Sequence, residues 1–388
     1  MKKILVSLVS EQTTPNILVA NLIKPATYWF ITTKRMEMEG RTSAIINALS
    51  LANNTIDECN IQKLSVNQDS FQDCISIMEG LIENIDDDVE YIVNITGGNK
   101  IMAIAALEVF RNVGQKVMIG YMPLGKNEFL QVYPNKKPLK TYPVNIKLSL
   151  QEYLAGYGFT VKNIDHESPG KQVSQHEELS GFILQYYEAL KDTLAQLYKE
   201  LKGPRNKGKK HYFLTISYDR VLHDLEMDFF SRLGFAIRQK SVSNNLNKKE
   251  IEYLTGGWFE DYVFNKVYQL VKENVLDDCT KSLTIASSTG SPNELDVAFM
   301  KDNVFYHIEC KTLGNEKDQT IIRDEVYKKG AISSLLGKGP NRAYICTTQT
   351  HIRDAHLKKA SDYGINILVI EQVRSLQNIL RERFGYPE

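Results

Sequence analysis

The sequence predicts an α/β fold in more than one domain: a Rossmann-like parallel sheet first, and a second α/β domain at the C-terminal end. Up to about residue 145, short apolar runs alternate with stretches of helical period. That is the pattern of strands buried on both faces of a largely parallel sheet. Toward the other end, Asn293–Thr312 (NELDVAFMKDNVFYHIECKT) alternates with period two on both sides of a polar turn, which marks a hairpin. At 388 residues the chain is also longer than a single core usually holds. We divide it into a sheet domain at 1–147, a connector and lead-in at 148–250, and a second domain at 251–388.

Composition narrows the class. Apolar residues make up 43% of the chain and charged residues 24%, the balance of a globular protein. No apolar run approaches the roughly 20 residues that span a bilayer, so no membrane role is expected. MKKILVSLVS has the charge and apolar run of a secretory leader, but Glu11 and Gln12 end it without a cleavage site. A first strand is the better reading. Cys59, Cys74, Cys279, Cys310 and Cys346 are scattered and lack C-x-x-C pairing. That argues for a cytoplasmic location and against structural zinc. Lys plus Arg (47) equal Asp plus Glu (47), so contact with a nucleic acid must come from a local patch.

Taken in order, Lys3–Val9 is a continuously apolar strand and Thr14–Ile23 a helix. Thr27–Thr32 reads as strand, Met38–Ala52 as helix, Ile61–Ser65 as strand and Ser70–Asn84 as an amphipathic helix. Tyr91–Ile95 is strand, Lys100–Val113 a helix rich in small residues, and Val117–Tyr121 strand; a hairpin around Gly125-Lys126-Asn127 closes the region. In such sheets ligands bind outside the carboxyl ends of the strands. Two loops lie at that edge. Ser10-Glu11-Gln12-Thr13-Thr14 follows the first strand, and Thr96-Gly97-Gly98-Asn99-Lys100 precedes a helix. Paired glycines let a backbone approach a ligand, free N–H groups at a helix start favour anions, and Lys100 adds a positive charge. The loop is neither G-x-G-x-x-G nor a Walker A sequence, which leaves NAD and NTP readings unsupported. A glycine turn with an Asn N-cap would carry the same letters. Ser10, Gln12, Thr13, Thr14, Thr96, Gly97, Gly98, Asn99 and Lys100 are the candidate ligand contacts, together with Met122 just past Val117–Tyr121.

Ser149–Lys171 reads as a connector, Leu179–Leu201 as an amphipathic helix, and Lys202–Lys210 (KGPRNKGKK) as a mobile basic loop, either phosphate-contacting or simply solvated. Val221–Leu233 reads as helix and Asn244–Lys249 as a polar loop. Gly256-Gly257-Trp258 opens a helix on which Glu260, Val263, Phe264 and Val267 fall at i, i+3, i+4 and i+7. Glu260 therefore sits at the edge of the apolar stripe, where a carboxylate needs a partner. Asp261 falls with Asn265 and Tyr268 and reads as solvent-facing.

Within the hairpin, a two-residue turn at Asp302-Asn303 places Val297 across from Ile308, Phe299 across from Tyr306, and Asp296 across from Glu309. A three-residue turn would mismatch every face. Two carboxylates at the roughly 4.5–5.5 Å of a cross-strand pair repel. A hard divalent cation between them relieves the conflict, and Mg²⁺ takes such oxygen ligands while keeping waters for substrate phosphates. Lys311, one pleat beyond Glu309, is placed to orient or deprotonate a water, or to stabilise charge developing on phosphate. The plain alternative is a solvated hairpin with a Glu-x-Lys surface pair; Asp296 in matched register weighs against it. Helix Gln319–Leu336, strand Ala343–Thr347, helix Ile352–Tyr363 and strand Asn366–Ile370 complete the domain. His351 and His356 share no helical face and read as surface residues, and His307 as structural.

Strand-Thr96-Gly97-Gly98-Asn99-Lys100-helix resembles the signature loop of CARF domains, the CRISPR-associated Rossmann-fold sensors of cyclic oligoadenylate. The hairpin with Asp296 and Glu309-Cys310-Lys311 resembles the core of PD-(D/E)XK nucleases, although Asn293 stands where that family's name would place a Pro-Asp. The order of the two is similar to the ancillary effector nucleases of type III CRISPR systems. This resemblance implies a CARF domain followed by a restriction-endonuclease-like domain. It implies cyclic tetra-adenylate as activator, and DNA or RNA phosphodiesters as substrate cut with Mg²⁺ or Mn²⁺. Glu260, Asp296 and Glu309 would hold the metal with the Cys310 carbonyl, and Lys311 would complete the catalytic set. A two-fold ligand is best met by a homodimer presenting the same loops twice. Two rival readings are a ring nuclease that destroys the cyclic ligand near Ser10 and Lys100, and a ligand-responsive nucleic-acid-binding regulator without catalysis.

Overall fold

The computed structural model describes residues 2–52, 56–83, 88–114, 116–123, 125–135, 137–162, 177–287, 290, 292–312, 319–337 and 341–385. Its N-terminal sheet runs β3-β2-β1-β4-β5-β6-β7. The strands are β1 Lys2–Leu8, β2 Thr27–Thr32, β3 Ile61–Ser65, β4 Val89–Asn94, β5 Val117–Tyr121, β6 Glu128–Tyr133 and β7 Thr141–Pro143. The first five pair in parallel, and β6 and β7 extend the sheet antiparallel. Val6, Leu8, Ile31 and Val93 face one core, while Leu5, Phe30 and Ile92 face the other, so helices cover both sides. Strand order reverses between β1 and β4, and a crevice opens at their carboxyl ends.

The expected helix Met38–Ala52 is two helices, Lys34–Met38 and Arg41–Leu51. Thr33 caps the first by accepting from the Met36 N–H, and Gly40 at φ +67° turns the chain between them.

The second large sheet runs β16-β15-β14-β13-β12-β8, with β12 Asp278–Ser287, β13 Asn293–Lys301, β14 Val304–Lys311, β15 Ala343–Thr347 and β16 Ile365–Leu368. Its edge strand β8, Phe159–Val161, comes from the segment read as a connector. That segment also forms the helix Leu150–Gly156, capped by Ser149 and Glu152. Residues 163–171 of the expected connector lie outside the described residues.

A third, antiparallel sheet runs β10-β11-β9, of β9 His211–Ser217, β10 Ala236–Arg238 and β11 Ser241–Asn247. The expected polar loop Asn244–Lys249 is therefore mostly strand. Its polar side chains alternate with the buried Val242 and Leu246, and β9 supplies the ladder that a local reading lacks. The expected single helix Leu179–Leu201 is two, Glu177–Gln185 and Tyr187–Asn206. The second takes in the first part of the expected mobile loop, including Gly203 and Pro204. Buried Leu201 and a tertiary bond from Arg205 to Thr255 hold the last turns where local propensity would not. Helix Val221–Leu233 shortens to Asp224–Arg232.

The hairpin turn is as expected. Asp302 (φ +50°) and Asn303 (φ +62°) are both left-handed, the geometry of a two-residue I′ turn. Its tip is held by the end of the N-terminal domain. Asn303 Oδ1 accepts from Leu148 N at 2.8 Å, and its Nδ2 donates to Ile146 O at 2.8 Å. Beside it, Asp277 pairs with Lys147 at 2.6 Å and accepts from Asp302 N at 2.6 Å.

Candidate active site and ligand pocket

The register that brings the acids together is the one the hairpin turn dictates. Val297 pairs with Ile308 and Phe299 with Tyr306. At Asp296 a side-chain bond takes over from the ladder, Oδ2 accepting from Cys310 N at 2.7 Å. Glu309 lies one residue back and is 3% exposed. Lys311 Nζ reaches Glu309 Oε1 at 2.5 Å and Glu325 Oε1 at 3.5 Å.

Lys329 pairs with the other oxygen of Glu309 and is fully buried. Neither Lys329 nor Glu325 was among the expected site residues. A signal for Lys329 existed: on the helix Thr320–Leu335 it continues the buried stripe of Ile322 and Val326. A lysine at such a position needs a buried partner.

The electrostatics divide the three acids. Burial, then repulsion from Asp296 and Glu294, pushes the Glu260 carboxyl up to about 8. Burial and the nearby Glu309 raise Asp296 to about 6, although the Cys310 N–H opposes them. Burial works against the charge on Glu309 too, but Lys329 and Lys311 outweigh it and hold that carboxyl below its usual range. Burial alone would lower Lys311; Glu309 and Glu325 raise it instead, which keeps it cationic. The result is one carboxylate, Glu309, paired directly with two lysines, beside two acids that burial and like charge raise more than the nearby cations lower. His307 is buried, contacts Ser333 Oγ at 3.0 Å, and is pushed down to about 3 by burial and Lys329, which keeps the ring neutral.

Glu260 is carried on the helix Trp258–Lys272, whose start is shaped by Gly256 at φ +133°. Asp261 and Asn265 do not face solvent as expected. Asp261 pairs with Lys281 at 2.7 Å, and Asn265 is 3% exposed. The helix is buried on more than one side, against β12 to β14 and against the helices Glu177–Gln185 and Leu376–Phe384. An apolar stripe on a single sequence does not reveal the additional partners.

The acids gathered around Asp296 offer carboxylate oxygens, the donors a hard divalent cation takes, and such a cation would offset the mutual repulsion that helps raise Glu260 and Asp296. Among the described residues, no three His, Cys, Asp or Glu side chains are already gathered as ligands. Both oxygens of Glu309 are engaged by lysines as the side chains stand.

At the switch point of the N-terminal sheet, a pocket of about 340 Å³ is lined by Ser10, Gln12, Thr33, Arg35, Gln68 and Gly98, among others. Asn99 is also at its wall; its Oδ1 caps the helix by accepting from Met102 N at 2.9 Å, and its Nδ2 donates to Gln68 O at 2.7 Å. Gly97 lies against the end of β1, where a Cβ would come 2.1 Å from Leu8 O. Thr96 and Met122 meet each other, Met122 N donating to Thr96 Oγ1 at 2.9 Å. Thr13 is buried and donates to Gly156 O at 2.6 Å, and Thr14 donates to Tyr157 at 3.2 Å. These two hold the connector rather than line the pocket. Lys100 is exposed at the helix start and is not part of the pocket wall. Thr33 and Arg35, at the start of the helix Lys34–Met38, and Gln68, from the loop after β3, were not anticipated.

Residues 4–153 match the family model for the Card1 CARF domain, and residues 247–386 match that for the Card1-like endonuclease domain. No curated protein matches the chain by sequence. Among solved structures, the chain is similar to Can2 from Sulfobacillus thermosulfidooxidans in complex with cyclic tetra-adenylate. The TM-score is 0.76 at 19% identity, covering 99% of this chain and 100% of that one. It is similar to VC1899 from Vibrio cholerae with a TM-score of 0.79 at 18% identity, covering 98% of each chain. A type III CRISPR defence DNA nuclease activated by cyclic oligoadenylate matches with a TM-score of 0.55 at 14% identity, over 90% of this chain and 45% of that one. The chain therefore joins a CARF domain of the Card1 type to a Card1-like endonuclease domain.

Proposed function

We propose that the chain is a cyclic-oligoadenylate-activated nuclease, with cyclic tetra-adenylate the activator and nucleic-acid phosphodiesters the substrate. The observation that carries the reading is the set of buried Glu309 and half-buried Glu260, Asp296 and Lys311 on one hairpin and its adjoining helix, in a domain of an endonuclease family. Likeness to a structure bound to cyclic tetra-adenylate supports the choice of activator.

Glu260, Asp296, Glu309 and the Cys310 carbonyl would hold Mg²⁺ or Mn²⁺, which would supply an acidified water and charge neutralisation. The chain's own residues do the rest. The Cys310 N–H fixes Asp296, and Lys329 orients Glu309 from the protein interior. Lys311, held cationic, serves better to orient a water and to stabilise charge on phosphate than to remove a proton. The N-terminal pocket is small for a ligand cleft and takes part of a tetranucleotide ring, so a homodimer would share the ring between two copies.

Incubation with labelled cyclic tetra-adenylate, plasmid, single-stranded DNA, RNA and Mn²⁺ tests the reading. Cleavage should need both ligand and metal and vanish in Glu309→Gln. Cutting in EDTA, or in that variant, overturns it. Loss of the cyclic ligand with no cut polynucleotide would favour a ring nuclease.

A further inference from the structure

Resting on the nuclease reading above, we propose that the outer face of the β9–β11 sheet binds single-stranded nucleic acid and leads it to the Asp296–Glu309 site. Along β9, Leu214 and Ile216 turn inward and are buried, while Phe213 and Thr215 turn outward. Register places Asn245 opposite Phe213 and Ser243 opposite Thr215. The three strands contain no Asp or Glu. Phe213 is 67% exposed, the most exposed aromatic ring among the described residues. A ring held out on a strand, among neutral hydrogen-bonding side chains, is a platform for a nucleobase. Stacking of this kind tolerates any base because every base has a π-face.

The charge around the platform fits the same occupant. Residues 202–218 contain five Lys or Arg and no Asp or Glu, in a chain whose net charge is zero. Lys207, Lys209 and Lys210 are exposed between the helix ending at Asn206 and the start of β9. Phosphates are the complementary partner of such a run.

The stretch also reaches the candidate active site. Arg205 Nη1 donates to Thr255 O at 3.0 Å and to Thr255 Oγ1 at 3.1 Å. Thr255 lies in the turn that launches the helix carrying Glu260. A basic path thus runs from that turn to the stacking face. A duplex keeps its base faces covered, so the exposed ring selects an unpaired strand.

The test uses the full chain carrying Glu309→Gln, in EDTA, with labelled oligodeoxythymidylate, oligouridylate and a DNA duplex as probes. Phe213→Ala should weaken binding of the single strands about tenfold, within the range of losing one stacked base. Changing Lys207, Lys209 and Lys210 to Gln should reduce the slope of log affinity against log salt by about 2, at roughly 0.7 per phosphate contact. Both variants alter exposed side chains, and parental thermal melts will verify that they fold. Parental affinity in Phe213→Ala, an unchanged salt slope in the triple variant, or tighter binding of the duplex than of either single strand overturns the proposal. So does a Phe213→Ala effect seen only in self-association. Cleavage that survives Glu309→Gln refutes the nuclease reading instead, and the oligonucleotide affinities then still decide whether the sheet binds.

Discussion

Replacing Asn303 by Gly removes one of the links between the two domains at the hairpin tip. Asn303 stands at φ +62°, so Gly keeps the turn without strain while removing the side chain; Ala would add backbone cost and blur the result. The change deletes two bonds of 2.8 Å, from Leu148 N and to Ile146 O, and a longer one of 3.4 Å to Asn127 Oδ1, at a residue 6% exposed. At about 1 kcal/mol net for each bond, and more if water cannot reach the orphaned groups, the loss is about 2–3 kcal/mol. Removing strain at a left-handed position offsets part of it, and the added freedom of the unfolded chain acts the other way. Urea unfolding of the full chain should therefore report a destabilisation of about 2 kcal/mol. If the tip transmits the ligand signal, the activation of cleavage by cyclic tetra-adenylate should fall by up to about 30-fold, the factor equivalent to that energy. Ligand affinity itself should change little if the resting arrangement dominates in both chains. Wild-type stability together with full activation in Asn303→Gly would refute the reasoning, and the coupling would have to run elsewhere.

Three further outcomes are expected. Lys329→Met leaves Glu309 with one of its two cationic partners in a buried site and should lower stability by about 3–5 kcal/mol, read by urea unfolding; a variant as stable as the parent removes Lys329 as the anchor of Glu309. Glu226 is held down to about 2, first by its hydrogen bond with Arg220, so its contribution is present above the ordinary carboxylate pKa and disappears as pH falls toward 2. Arg220→Met should therefore lower the melting temperature at pH 7 and have little effect at pH 2, and equal losses at both would contradict the pairing. Gly97→Ala, whose Cβ would press into Leu8 O, should distort the pocket loop and weaken binding of cyclic tetra-adenylate at least tenfold by calorimetry; unchanged affinity would take that loop out of the ligand site.

Local signals determined a good deal. Apolar runs and helical periods are properties of neighbouring residues, and they marked the strands of the first sheet and the loops at its edge. The turn at Asp302-Asn303 and the alternation around it determined the hairpin register, because a slip by one residue would turn every side chain to the wrong face. Asp296 and Glu309 came together for that reason. What the tertiary structure decided were the partners that come from distant segments. Lys329 and Glu325 reach the site from a later helix, Arg205 from an earlier one, and Arg35 and Gln68 enter the ligand pocket from neighbouring segments. Asp261 pairs with Lys281 of β12 and Asn265 is buried, partners that the helix's own period does not announce. The strand at Ser241–Asn247 exists because β9 completes its hydrogen bonds. Sequence period reports which face of an element is apolar; only packing determines what that face, and the polar residues at its edge, will meet.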